Sequence, residues 1–134
     1  MPSVHPLALA CTALLGLLLF GLGLAVSGLR FRAKHLCGCS SDPADPLHRA
    51  SRAHGNTAEY APYLAVAFLY LGAHQPSTLS LGLIVAATAS RVLLAIGLIA
   101  WPSMARPNPL RFIGALGTYA TGIALSLQLL GAGA

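Results

Sequence analysis

Four long apolar runs, roughly residues 6–29, 49–72, 78–100 and 110–130, narrow the possible folds more than any other feature of this sequence. About 20 apolar residues at 1.5 Å each match the roughly 30 Å hydrocarbon core of a bilayer, and every run reaches that length. With 56% of its 134 residues hydrophobic and only 8% charged, the chain carries more apolar surface than a soluble domain of this size can bury. The expectation is an all-α, integral membrane four-helix bundle, one domain over residues 1–134.

The connections fit that division. "CGCSSDPADP" (Cys37 to Pro46) separates the first pair of runs, "HQPS" (His74 to Ser77) makes a tight turn, and "WPSMARPNP" (Trp101 to Pro109) precedes the last run. The opening "MPSVHP" has no Lys or Arg, and the first apolar run exceeds the usual signal-peptide core, so it reads as a retained helix, although "AVSG" (Ala25 to Gly28) has some likeness to a cleavage site.

A net charge of +5 invites a nucleic-acid reading, but placement decides otherwise. Arg30, Arg32, Lys34, Arg49 and Arg52 flank the first connection, Arg106 and Arg111 flank the third, and the second has no Lys or Arg. The positive-inside rule puts connections one and three in the cytoplasm, with both termini and the "HQPS" turn on the other side. No nucleic acid is needed to explain the charge. The compartment expected is the endoplasmic reticulum or another endomembrane in a eukaryote, or the inner membrane in a bacterium.

Two charges lie deep inside the runs: Glu59 in the second and Arg91 in the third. Arg91 is about 14 Å from the end of its run and Glu59 lies at a similar depth. Intramembrane charges are costly and are usually paired or face a wet cavity, so a Glu59–Arg91 contact is expected. A purely structural ion pair pinning two helices is an equal alternative role for Glu59. On the second run Arg49, Arg52, Asn56, Glu59 and Tyr63 fall within roughly 80° of helical arc. Such a stripe is expected to face protein or a cavity, and its guanidinium groups suit the carboxylates of an anionic, peptide-like ligand.

The order R-A-x-x-N-x-x-E-x-x-P, formed by Arg52, Ala53, Asn56, Glu59 and Pro62, resembles the signature of the MAPEG family. These are membrane-associated proteins of eicosanoid and glutathione metabolism, among them microsomal glutathione transferases, leukotriene C4 synthase and membrane prostaglandin E synthase. "RFRAK" at Arg30, "SDP" at Ser41, Arg91, and "RPNPLRF" at Arg106 are similar to segments of that family in the same order, so the resemblance covers essentially the whole chain. It implies a homotrimer with glutathione, as co-substrate, bound between neighbouring subunits near the cytoplasmic side. Arg30 and Arg52 would hold its carboxylates, and Asn56 and Glu59 its amide and amino groups. Tyr60 and His54 would complete the wall, and Arg91 would brace Glu59 or touch the ligand. Arg111 would face the sulfur, with Arg106 as second choice. The implied activity is a glutathione-dependent membrane transferase or peroxidase acting on lipophilic electrophiles such as lipid hydroperoxides. A guanidinium favours the thiolate without acting as a base, while the acceptor arrives from the bilayer. For Arg111, a simple cytoplasmic topology anchor is the competing role.

Several active relatives carry aromatic or histidine side chains one and two turns after the third-helix arginine, where this chain has Leu94 and Leu98. A non-catalytic, lipid-binding scaffold that assists a partner enzyme is therefore the alternative function. A small multidrug transporter is a remoter one, because such proteins carry their glutamate on the first helix with no arginine stripe beside it. Cys37, Cys39, His35 and His48 lack the C-x-x-C spacing of a zinc site, so no metal is expected, and cytoplasmic thiols would be reduced. Cys11 reads as packing, His54 as a hydrogen-bonding wall residue ahead of a proton shuttle, and Tyr63 as either cavity lining or core. His5 and His74 read as exposed boundary residues, and Tyr70, Trp101 and Tyr119 as packing or interfacial anchors.

Overall fold

The computed structural model describes residues 3–132, and among them every regular element is an α-helix. α1 spans Pro6–Ala33, α2 Pro46–Ala73, α3 Thr78–Ala100 and α4 Pro109–Ala132. Met1 and Pro2 of the opening segment lie outside the described residues, as do the last two positions.

α1 and α2 each extend four residues beyond their apolar runs, and α4 three. α1 continues through "RFRA" and closes at Lys34, whose left-handed backbone (φ 55) directs its N–H to the carbonyls of Arg30 and Phe31. α2 begins at Pro46 because Asp45 caps it, accepting the Leu47 amide at 3.0 Å. A proline at the first helical position forfeits an N–H that would have no partner there anyway. Punctuation in the sequence thus becomes the first residue of the helix. Within α2, Pro62 leaves the Ala58 carbonyl without its usual donor, yet the helix runs through it.

α1, α3 and α4 are long and apolar enough to cross a membrane. α2 is as long as α1, at 28 residues, but its polar stripe makes it the least apolar of the four helices, too polar to cross a membrane by composition alone. It lies against both α1 and α3, burying Leu64, Ala67 and Phe68 among them. The outer surface carries Leu17, Phe20, Leu24, Phe112, Ile123 and Leu130, an apolar coat that suits acyl chains and would be costly in water.

The interior is layered. One apolar layer gathers Ala8, Cys11, Leu15, Leu64, Phe68, Ile84 and Leu125 at the end of the "HQPS" turn. A second gathers Leu22, Ala53, Leu94, Ala95 and Leu98 nearer the basic connections, and a third joins Val26, Leu47 and Ala50. α3 and α4 approach most closely through glycine: a Cβ at Gly114 would lie 2.6 Å from the backbone nitrogen of Leu94. Close backbone approach through small residues is how membrane helices gain packing where lipid offers no hydrophobic drive.

Candidate functional site

Between the first two apolar layers lies a polar one, built from Asn56, Thr57 and Tyr60 of α2 and Arg91 of α3. Arg91 is only 1% exposed. Its Nη2 donates to Asn56 Oδ1 at 2.8 Å and, more weakly, to Thr57 Oγ1 at 3.4 Å, while its guanidinium carbon lies 5.2 Å from the centre of the Tyr60 ring. Nε and Nη1 are buried with no hydrogen-bond partner. A buried guanidinium with two idle donors is an expensive arrangement, and it marks a place where an acceptor is due.

The expected Glu59–Arg91 contact is not formed. The α2 stripe has two edges: Arg49 and Asn56 lie on one, Arg52 and Glu59 about 60° away on the other. α3 packs against the first edge, so Arg91 meets Asn56, and Glu59 and Arg52 are left exposed on the protomer surface. Arg49 also belongs to the α3 side, donating through Nη1 to the carbonyls of Ile99, at 2.8 Å, and Trp101. It closes the C-terminus of α3, a helix-capping role that sequence reasoning missed. Locating it required knowing where α3 ends in space. Tyr63 reaches α4: the Ser126 hydroxyl donates to the Gly122 carbonyl, so the Tyr63 hydroxyl is the donor to Ser126 Oγ. Tyr60 and Tyr119 face each other with ring centres 5.9 Å apart, so Tyr119 packs against the candidate site itself.

Arg30 and His54 lie elsewhere. His54 sits about 160° around α2 from Asn56, and with Arg30, Ser27 and Ser51 it lines a groove of about 660 Å³ between α1 and α2 whose apolar side is Phe20, Leu24 and Val26. Gly23 admits the imidazole, since a Cβ there would lie 3.3 Å from His54 Nε2. Arg30 Nε and Ser51 Oγ are buried without partners. The candidate residues therefore form two half-sites on opposite faces of α2, Arg30 with His54 on one, and Arg52, Asn56, Glu59, Tyr60 and Arg91 on the other. One protomer does not bring the halves together.

Arg111 is half-buried at the start of α4, its Nη1 donating to the Met104 carbonyl at 3.0 Å, whereas Arg106 is exposed. Asn108, 6% exposed, bridges α3 to α4 and was not singled out from the sequence; its place just before Pro109 was the available signal, as the position where a helix cap belongs. In the first connection Cys39 Sγ lies 3.7 Å from His48 Nδ1, which is itself 2.7 Å from the Ser40 carbonyl.

A bundle of long helices coated with apolar side chains, enclosing a cationic polar layer at mid-depth, defines the class: a multi-pass α-helical membrane protein with an interior polar site. A model of the MAPEG family matches residues 8–131, nearly the whole chain, and the protein belongs to that family. Membership makes it a membrane protein of the group concerned with glutathione and eicosanoid metabolism. The searches of curated proteins and of solved structures return no match.

Proposed function

We propose that the protein is a glutathione-dependent membrane transferase or peroxidase acting on lipophilic electrophiles, including lipid hydroperoxides. The observation that carries this reading is that each half-site holds buried, unpartnered guanidinium donors, Nε and Nη1 of Arg91 in one and Nε of Arg30 in the other, which lack an acidic partner and suit an anionic guest. In a homotrimer, the Arg30–His54 half of one subunit faces the Arg52–Asn56–Glu59–Tyr60–Arg91 half of the next. Glutathione lies between them. Arg30 and Arg52 take its carboxylates as forked, charge-assisted pairs, and Asn56 and Glu59 take its amide and amino groups.

Arg111 sets the chemistry. Its Nη1 is held by the Met104 carbonyl, and the remainder of the guanidinium faces the sulfur, lowering the cost of the thiolate. With an aryl halide, the thiolate attacks the ring carbon, a carbon–sulfur bond forms and halide leaves. With a hydroperoxide, the thiolate attacks the terminal oxygen, and the oxygen–oxygen bond breaks to give an alcohol and a sulfenic acid. A second glutathione reduces that acid to the disulfide and water. The acceptor enters from the bilayer past the exposed Tyr63 and Tyr119. Connections one and three lie in the cytoplasm of the host membrane, as their arginines require.

A second reading is favoured by Leu94 and Leu98, both buried in the apolar layer that adjoins Met104 and Ala115. No hydroxyl or imidazole from these α3 positions reaches the place assigned to the sulfur. A non-catalytic lipid-binding scaffold would need none. Detergent-purified protein with glutathione and a chromogenic aryl halide separates the two: the transferase consumes both, and the scaffold consumes neither.

A further inference from the structure

The last carbonyls of α3 and the first amides of α4 have no partners within their own helices, and the chain satisfies them across the junction. Asn108 does two things at once. Its Nδ2 donates to the Gly97 carbonyl on α3 at 2.6 Å, and its Oδ1 accepts the backbone N–H of Arg111 on α4 at 3.2 Å. Gly97 makes this possible from the other side, because a Cβ there would lie 2.8 Å from that same Arg111 nitrogen. The first turn of α4 thus rests directly on the α3 backbone. Beyond it, Arg111 Nη1 is held by the Met104 carbonyl, and the Met104 N–H is held in turn by the Pro43 carbonyl of the first connection at 3.0 Å.

We propose that Asn108 is a positioning residue for Arg111: by stapling α4 to the Gly97 carbonyl, it fixes the height and rotation at which the guanidinium meets the thiol. This rests on the transferase reading, in which Arg111 faces the sulfur. An ordinary helix cap needs only an oxygen, which serine supplies. Serine is too short to reach Gly97. Asn108→Ser therefore keeps the cap and removes the staple, while Gly97→Ala disturbs the same contact from α3.

Two readouts test the proposal. In the first, Asn108→Ser binds glutathione within about twofold of wild type but loses about tenfold or more in kcat, as a displaced catalytic group should. The bound thiol, followed by its ultraviolet thiolate absorbance, then titrates about one pH unit higher, which is a tenfold smaller thiolate fraction at a given pH. The second needs no glutathione. Phenylglyoxal labelling of arginines, read peptide by peptide, gives the Arg111 rate relative to exposed Arg106, and the ratio rises several-fold in Asn108→Ser. An unchanged labelling ratio, or a serine variant matching wild type in both kcat and thiolate titration, overturns the proposal. If wild-type protein binds no glutathione, the transferase reading fails and the labelling ratio alone decides whether Asn108 holds Arg111. If Gly97→Ala does not fold, Asn108→Ser carries the test.

Discussion

Arg91 Nη2 and Asn56 Oδ1 stand 2.8 Å apart across the α2–α3 seam, while Glu59, about one turn further along α2, is exposed. A neutral amide, not the carboxylate, is the first acceptor for the buried cation. The buried Thr57 hydroxyl is a weak second at 3.4 Å, and the Tyr60 ring a third contact.

This arrangement makes the two residues differ in ligand-free stability, although both take part in the proposed binding. Asn56→Ala leaves the buried guanidinium short of its best acceptor and is expected to destabilise the ligand-free protein by about 1–3 kcal/mol. Glu59→Gln, with no such contact to lose, is expected to change ligand-free stability by no more than about 0.5 kcal/mol but to weaken glutathione binding about tenfold, near 1.4 kcal/mol. Thermal unfolding in detergent, with and without glutathione, checks both. A large loss of ligand-free stability in Glu59→Gln would restore the ion pair that the geometry denies.

Arg52 and Arg111 are expected to fail differently. Arg52→Ala removes a charge-assisted pair and should raise the glutathione dissociation constant tenfold or more, about 1.5–3 kcal/mol. Arg111→Ala should leave that constant nearly unchanged while turnover falls by about a hundredfold, as when one transition-state donor is lost. Binding titration beside steady-state kinetics on the same preparations separates the two. Loss of binding in Arg111→Ala with turnover per bound complex intact would reverse the assignment.

Arg49 is expected to act on the fold alone. Its Nη1 satisfies the Ile99 and Trp101 carbonyls at the end of α3. Arg49→Ala should cost about 1–3 kcal/mol of unfolding free energy and Arg49→Lys less, with the glutathione affinity of the folded fraction unaltered. Denaturant unfolding against calorimetric affinity makes the comparison.

The α3–α4 seam supplies an internal control among glycines. Gly114→Ala places a methyl 2.6 Å from the Leu94 backbone nitrogen, so helices must separate, and a loss of about 1–3 kcal/mol is expected. At Gly122 a Cβ meets nothing within 4 Å, so Gly122→Ala should be neutral or stabilising by up to about 1 kcal/mol through helix propensity. Equal melting temperatures for the two variants would contradict the close approach.

What the sequence disclosed and what it withheld divide along physical lines. α1, α3 and α4 were legible because length and apolarity alone set a membrane span, α2 because its run has the same length with its polar residues gathered on one stripe, and the R-A-x-x-N-x-x-E order pointed to the family whose model matches residues 8–131. Angular position along α2 was legible too: Arg49, Arg52, Asn56, Glu59 and Tyr63 had to share one stripe. Which member of the stripe meets Arg91 was not, because Asn56 and Glu59 share that stripe and only the packing of α3 selects an edge. Pro46 looked like a loop breaker until Asp45 proved to be its cap. The joint work of Arg49 and Asn108 at the end of α3 depends on contacts between residues far apart or on different helices, which helical periodicity does not encode.

Isothermal titration of the detergent-solubilised protein with glutathione tests the central claim most directly. The account predicts saturable binding at a fixed number of sites per subunit, lost or greatly weakened in Arg52→Ala and in Arg30→Ala, since the two arginines belong to opposite half-sites of one composite pocket. Absence of saturable binding to folded wild-type protein, or undiminished affinity when either arginine is removed, would contradict it.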